Sequence, residues 1–492
     1  MEFKTTAKSI DKLEAKIALL FSFSDKSTLQ EKNADSLTGG VISQAKESKD
    51  FKADKGASQL FYPAGAPKRL LLVGLGKSTE LTPETFREAV GQSVQVLKKL
   101  PYNEVAIPVP ALPGIKTGAA ARLLAETITL ASYEFSEYKS EKNNSTKLTT
   151  ILLVVPKKDL VRAQKEAAAG QIIGNSVSLA RDLGNHPANT ATPSHLAGHA
   201  LALQKQNKAL KVQILNKAEI KKEKMGALLA VSQGSEEKPK FIVLEYRKKK
   251  SAPLIVLVGK GVTFDSGGLS IKPSERMEEM KNDMAGAAAV LGIMKAAGEL
   301  NLPLNLVGLI PATENLPSGK SLKPGDIIKS RGGKTIEVIN TDAEGRLILS
   351  DALDYAKKYK PDLVVDFATL TGAMVVALGF ELIGSFSTGK KLTSRLEKAS
   401  LASGEKIWPM PLEEDYRQLL KSETADLRNV SATPFGGAIT AALFLQNFVD
   451  YPWIHLDIAG PAWPAQAKSW RPKGSSGVGV RLFIDFLLNY KK

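Results

Sequence analysis

Apolar and polar positions follow two rhythms along this chain. Short apolar runs bounded by turn residues, at 69–73, 104–109 and 148–155, predict buried strands, and apolar recurrence every three to four residues over 83–100 predicts a helix. The same helical spacing runs from 161 to 183. Asn185-His186-Pro187 ends it, because proline lacks the amide a helix needs. Beyond residue 200, strands at 254–258, 304–310, 335–339, 363–367 and 453–458 alternate with helices at 284–300, 347–359 and 439–449. That alternation implies a mostly parallel sheet covered on both faces. The reading is an α/β fold: an N-terminal α/β domain over 1–160, a linking helix over 161–184, and a larger C-terminal α/β domain over 185–492 with a mostly parallel central sheet. The polar stretch 140–146 reads as a turn.

Composition narrows the picture. A single core stops growing at roughly 250–300 residues, so 492 residues also argue for two domains. Apolar residues at 43% and charged residues at 24% fit a soluble globular chain. The absence of cysteine removes disulfides, thiolate metal sites and cysteine nucleophiles, and four histidines make a His-rich centre unexpected. The N-terminal residues are too charged, and the apolar patch 17–23 too short, for a signal peptide. No run approaches the ~20 apolar residues that cross a bilayer, so the expectation is a cytoplasmic protein without a membrane partner. Lys plus Arg total 67 against 51 Asp plus Glu, a formal +16 that keeps DNA open as a partner. The surplus is spread along the chain, and its longest run, Arg247-Lys248-Lys249-Lys250, reads as a solvated loop.

Chemistry is expected where strands end, because ligands of such sheets lie beyond the carboxyl ends of the strands. Two segments there carry acids. One holds Lys260 and Asp265 and continues through Lys272 to Asp283; the other is Asn340-Thr341-Asp342-Ala343-Glu344-Gly345-Arg346-Leu347. An extended backbone would point the carboxylates of Asp342 and Glu344 to one side. Four carboxylates in one cleft need compensation, which two divalent cations supply. Lys260 beside a metal can shed its proton and become a neutral ligand, leaving Lys272 and Arg346 to stabilise an oxyanion or hold a small anion acting as base. Each acid taken alone is more often an N-cap than a ligand; together they suggest a two-metal hydrolase, a phosphoesterase included.

Other motifs carry less. Gly74-Leu75-Gly76-Lys77-Ser78 follows a strand, but the first glycine of a phosphate loop would fall on Leu71. His195 and His199 are four apart, yet Leu196 stands where HExxH needs Glu, so packing or surface exposure is expected. His455 reads as a satisfied strand histidine, and no GxSxG occurs.

The octapeptide 340–347 resembles the signature of the leucine aminopeptidase, or cytosol aminopeptidase, family. The resemblance extends through 259–265, Asp283-Met284-Ala285-Gly286, Ala368-Thr369-Leu370-Thr371-Gly372, 436–442 and 455–460, covering roughly 180–492; residues 1–160 resemble the family only in length and rhythm. It implies a metallo-exopeptidase that releases N-terminal, preferably hydrophobic, Leu-like residues from short peptides, with 185–492 as the catalytic domain. It further implies two metal ions, Zn2+ or Mn2+, held by Lys260, Asp265, Asp283, Asp342 and Glu344, with Asp265 and Glu344 bridging. Lys272 and Arg346 match the catalytic pair, the arginine holding a bicarbonate that serves as general base. Asn340, Leu370 and Gly372 would touch the substrate, and Met280, Thr369 and Ala459 would line the pocket for the first side chain. A homo-hexamer with interior active sites is implied, and some bacterial members also bind DNA. Ala285, Phe367 and Lys320 depart from the family pattern, the last two as expected influences on pocket shape and surface potential.

Overall fold

The computed structural model describes all residues except 14, 64–66, 142–144 and 491–492, so part of the turn expected over 140–146 lies outside the described residues. The chain forms two compact units, Met1–Asn175 with Gln466–Pro472, and Ser176–Ala465 with Lys473–Lys492. The Leu160–Asn185 helix begins in the first and ends in the second.

The first unit is built on a six-stranded sheet ordered Glu2–Thr6, Thr150–Val154, Glu104–Pro108, Ile17–Ser22, Arg69–Gly74 and Ser58–Phe61. All neighbours are parallel except the last pair. The apolar patch near the N-terminus becomes the fully buried Ile17–Ser22 strand. The Pro83–Leu97 helix is opened by a capping box on Thr82, with proline in its first turn, where a missing amide costs nothing. In the turn after Arg69–Gly74, the Ser78 amide and hydroxyl both donate to Asp25, each at 2.9 Å. An internal carboxylate thus takes the amide a phosphate would need.

The second unit has a nine-stranded sheet with four parallel strands at its centre, ordered Asn305–Asn315, Leu254–Gly259, Leu363–Ala368 and Trp453–Asp457. Nearly every residue of these strands is buried, as helices on both faces require. Antiparallel strands extend the sheet: Lys240–Tyr246 then Leu210–Leu215 on one side, and Ile383–Ser387 on the other. Gly261–Asp265 pairs with the far end of Asn305–Asn315. One expected strand belongs elsewhere: Thr335–Glu337 joins a separate three-stranded sheet with Ile327–Lys329 and Leu427–Arg428. With only one of its three residues buried, it is too exposed for the central sheet.

The Ala285–Glu299 helix lies very close to the central strands because its small residues permit it. A Cβ on Gly286 would stand 2.0 Å from the Phe367 carbonyl oxygen. The Phe367 ring itself points into the core, 5.4 Å from Phe483 at 87°, against Gly479. Its expected influence on pocket shape is therefore corrected: the aromatic fills a gap beside a glycine and does not line the cleft. Lys320 is exposed and does not line it either. Arg247 to Lys250 form an exposed loop, with Asn305 bonded to the Lys248 amide and the Lys249 carbonyl, each at 2.7 Å. Among the described residues no helix is long and apolar enough to cross a membrane.

Candidate active site

Asp265 ends its strand with both neighbours arranged around its carboxylate: the Gly267 amide donates to Oδ1 at 2.9 Å and Asn315 Nδ2 at 2.8 Å. Gly267 and Gly268 adopt φ of +86° and +65°, a backbone that side chains resist, and this turn brings the loop against the octapeptide. There Thr341 Oγ1 donates to the Gly267 carbonyl at 2.6 Å and accepts from the Ser270 amide at 2.8 Å. The extended backbone expected at Asp342 and Glu344 is absent. Asp342 lies in a turn, and Glu344 is the first residue of the Glu344–Ala356 helix. The carboxylates converge nonetheless: Asp265, Asp342 and Glu344 each offer an oxygen, all within 4.8 Å of one another.

Two ammonium groups thread this cluster. Lys260 Nζ lies 2.7 Å from Asp283 Oδ2 and 3.0 Å from Glu344 Oε1, and donates to the Thr369 carbonyl at 2.9 Å. Lys272 Nζ lies 2.9 Å from Asp265 Oδ2 and 2.5 Å from Asp342 Oδ1. Burial opposes both charges, but the surrounding carboxylates outweigh it and hold both lysines above their usual range. The acids fare differently. Burial, reinforced by the charge of Asp265, pushes Glu344 up to about 8, Asp283 up to about 6 and Asp342 above its ordinary value. Asp283 Oδ2, Asp342 Oδ1 and Glu344 Oε1 are buried and accept no well-directed hydrogen bond. A Cβ on Gly345 would stand 2.6 Å from Lys260 Cε, so glycine is what lets the lysine pass beneath the helix start.

Lys260, Asp265, Lys272, Asp283 and Asp342 border a cleft of about 630 Å3, together with Met280, Thr369, Leu370, Gly372 and Ala459. Val376, Phe380 and Trp463 add apolar wall. Glu344, Arg346 and Asn340 are not on the cleft wall. Arg346 is buried, which lowers its pKa to about 10; its Nη1 donates to the Asn429 carbonyl at 2.9 Å and its Nε has no partner. The Asn340 side chain accepts from the Asp342 amide at 2.8 Å.

Sequence reasoning passed over three supporting residues. Asn315 holds Asp265 and the Thr341 carbonyl; Asp457 accepts from the amides of Leu370 and Ala459 and from Thr371 Oγ1. Both are polar residues at the carboxyl ends of strands, the same signal that singled out Asp265. Asn429, which donates to the Asn340 carbonyl at 2.7 Å, lies outside any regular element and carried no such signal. His455 is a bonded strand histidine, its Nδ1 2.6 Å from Asp366 Oδ1.

Residues 178–484 match the model of the cytosol aminopeptidase family, catalytic domain, and residues 19–142 match that of its N-terminal domain. The chain belongs to the cytosol aminopeptidase family. It is accordingly a metallo-exopeptidase, a metal-dependent hydrolase of the leucine aminopeptidase type, and its two-domain α/β architecture is that of the family. A probable cytosol aminopeptidase of a Geobacter species is 44% identical over 473 residues, 94% of this chain and 95% of that one. One of Roseiflexus castenholzii is 45% identical over 448 residues, 90% and 91% of the two chains. Among solved structures, a tomato leucine aminopeptidase mutant aligns with a TM-score of 0.88 at 34% identity, covering 100% of this aminopeptidase and 97% of that chain. The bottromycin maturation enzyme BotP in complex with Mn aligns at 0.86 and 34%, covering 96% and 99%.

Proposed function

We propose that this aminopeptidase releases N-terminal residues, preferably hydrophobic and Leu-like, from short peptides, using two divalent ions, Zn2+ or Mn2+, held by Lys260, Asp265, Asp283, Asp342 and Glu344. The observation that carries this reading is the set of buried oxygens on Asp283, Asp342 and Glu344 that no directed hydrogen bond satisfies. Such oxygens are costly to bury, and two ammoniums do not balance four carboxylates, so the donor set fits a cation pair. Oxygen donors with one amine suit Zn2+ or Mn2+. When bound, these ions supply Lewis acidity at the scissile carbonyl and a water that ionises near neutral pH.

The protein's own groups supply the rest. Lys272 stands on the cleft wall with its charge secured by Asp265 and Asp342, so it offers a fixed positive charge to the developing oxyanion. Arg346, with an unpartnered Nε, is suited to hold bicarbonate as the proton acceptor. Asn340, Leu370 and Gly372 are the proposed substrate contacts, Leu370 being fixed through its amide by Asp457. Met280, Thr369 and Ala459, beside Val376, Phe380 and Trp463, give the first side chain an apolar wall that favours a Leu-like residue. Family resemblance makes the working assembly a homo-hexamer, which light scattering tests as six chain masses.

Replacing Glu344 with alanine is expected to lower turnover of Leu-p-nitroanilide by about 1,000-fold or more while the far-UV spectrum is kept. Near-normal turnover would refute the assignment. Phosphomonoesters assayed in parallel distinguish a phosphoesterase. Elemental analysis after chelation and refilling with Mn2+ should find two equivalents of metal per chain.

A further inference from the structure

Three of the four histidines in this chain meet at one place in the second unit, and none of them lines the cleft beside the carboxylate cluster. His195 and His199 lie one turn apart on the Pro193–Gln206 helix, a separation that puts both rings on one face. Their Nε2 atoms are 3.1 Å apart and their ring centroids 4.6 Å apart. His186, just beyond the Leu160–Asn185 helix, sets its ring edge-on to His195 with centroids at 5.2 Å.

That spacing is what two imidazoles need to share one ion. With metal–nitrogen bonds of about 2.05 Å, nitrogens 3.1 Å apart subtend about 100° at the metal, the angle of adjacent ligands in tetrahedral or tetragonal coordination. We propose that His195 and His199 chelate a divalent transition ion of the nitrogen-preferring kind, Zn2+, Ni2+ or Cu2+, as a site separate from the peptidase centre, with water completing the coordination. His186 stands as the adjoining imidazole.

Two further observations favour the site. Both rings are half-buried and so reachable by an ion from solvent, and nothing lies within 4 Å of the Cβ position at Gly198 between them. Burial, with His195 and His186 adding to it, keeps His199 neutral by pushing it down to about 4, so at neutral pH it carries a lone pair and not a proton. The ligand class follows from the donors: imidazole nitrogen discriminates against Mg2+ and Ca2+, which prefer oxygen.

The test uses the untagged full-length protein preloaded with Mn2+ and dialysed against micromolar Zn2+. Wild type is expected to retain one more Zn2+ per chain than His199→Gln or His195→Gln, with Leu-p-nitroanilide turnover unchanged in both variants. Equal Zn2+ content in wild type and variants would overturn the site, leaving the 3.1 Å contact as a hydrogen bond between rings. Pulsed electron paramagnetic resonance of Cu2+ titrated into wild type gives a reading that needs no variant. Coordinated imidazole modulates the echo through its remote nitrogen, a signature that carboxylates and Lys260 cannot produce, and its absence would equally overturn the proposal.

Discussion

The two units of this aminopeptidase treat carboxylates in opposite ways. In the first unit both oxygens of Asp25 are taken by Ser78, and those bonds hold the acid below its ordinary value. In the second, Asp283, Asp342 and Glu344 bury oxygens that no donor properly meets, and burial drives all three upward. All four acids lie outside the strands, in a bend, in turns or at a helix start. What separates a structural turn from a reactive one is whether the carboxylate has capacity left over.

The contrast can be broken or sharpened by experiment. Beyond the Glu344 substitution, the largest effect is expected from Gly345→Ala. Its methyl group would stand 2.6 Å from Lys260 Cε, so the lysine must move, and a displacement of that order costs about 100-fold in kcat. A fully active variant would show that the placement of Lys260 does not matter.

Metal removal should reveal the surplus acidity. In the metal-free fold Glu344 keeps its proton up to about pH 8, whereas unfolded it would release it near 4.5, so the folded state binds more protons and stability falls as pH rises through that window. Refilling with Zn2+ or Mn2+ should flatten the slope; melting temperatures from pH 5 to 8 that are the same with and without metal would count against the cluster. Asp25 has the opposite sign: its stabilisation is present at neutral pH and lost as pH falls below about 3.8.

Smaller effects bound the comparison from outside. Phe367→Leu should cost about 1–2 kcal/mol of stability by denaturant titration without changing preference among amino-acyl anilides, because the ring packs on Phe483 and not in the cleft. A changed preference would reopen its role in specificity. Smallest of all, Asp25→Ala should lower the melting temperature slightly and leave kcat/KM unchanged; a loss of activity would erase the distinction between the two turns.

Much of this was legible in the sequence, and for physical reasons. Strands such as Leu254–Gly259 and Leu363–Ala368 announce themselves because burial on both faces demands unbroken apolar runs. Asn305–Asn315 runs beyond the apolar stretch 304–310 because its last three residues, Thr313 to Asn315, are polar yet buried, satisfied by partners such as Ser235 on Glu314 that no local pattern reveals. The antiparallel strand Leu210–Leu215 carries no such run, because at the margin of the sheet its inner residues stay partly exposed. The acids of the octapeptide converge, but from a backbone other than the extended one expected, since a helix that starts on Glu344 mimics, over two residues, the spacing of a strand. The pair His195 and His199 shows in the spacing; the arrival of His186 from another helix does not.

The short return of Gln466–Pro472 to the first unit has a practical corollary. Lys468 pairs with Glu84 at 3.0 Å, Ser469 bonds the Glu88 carbonyl at 2.9 Å, and Trp470 is buried. No single scission of the polypeptide yields two autonomous pieces. A fragment starting at Ser176 would carry an indole whose seat has been left behind, and anyone expressing the peptidase half alone should redesign that heptapeptide first.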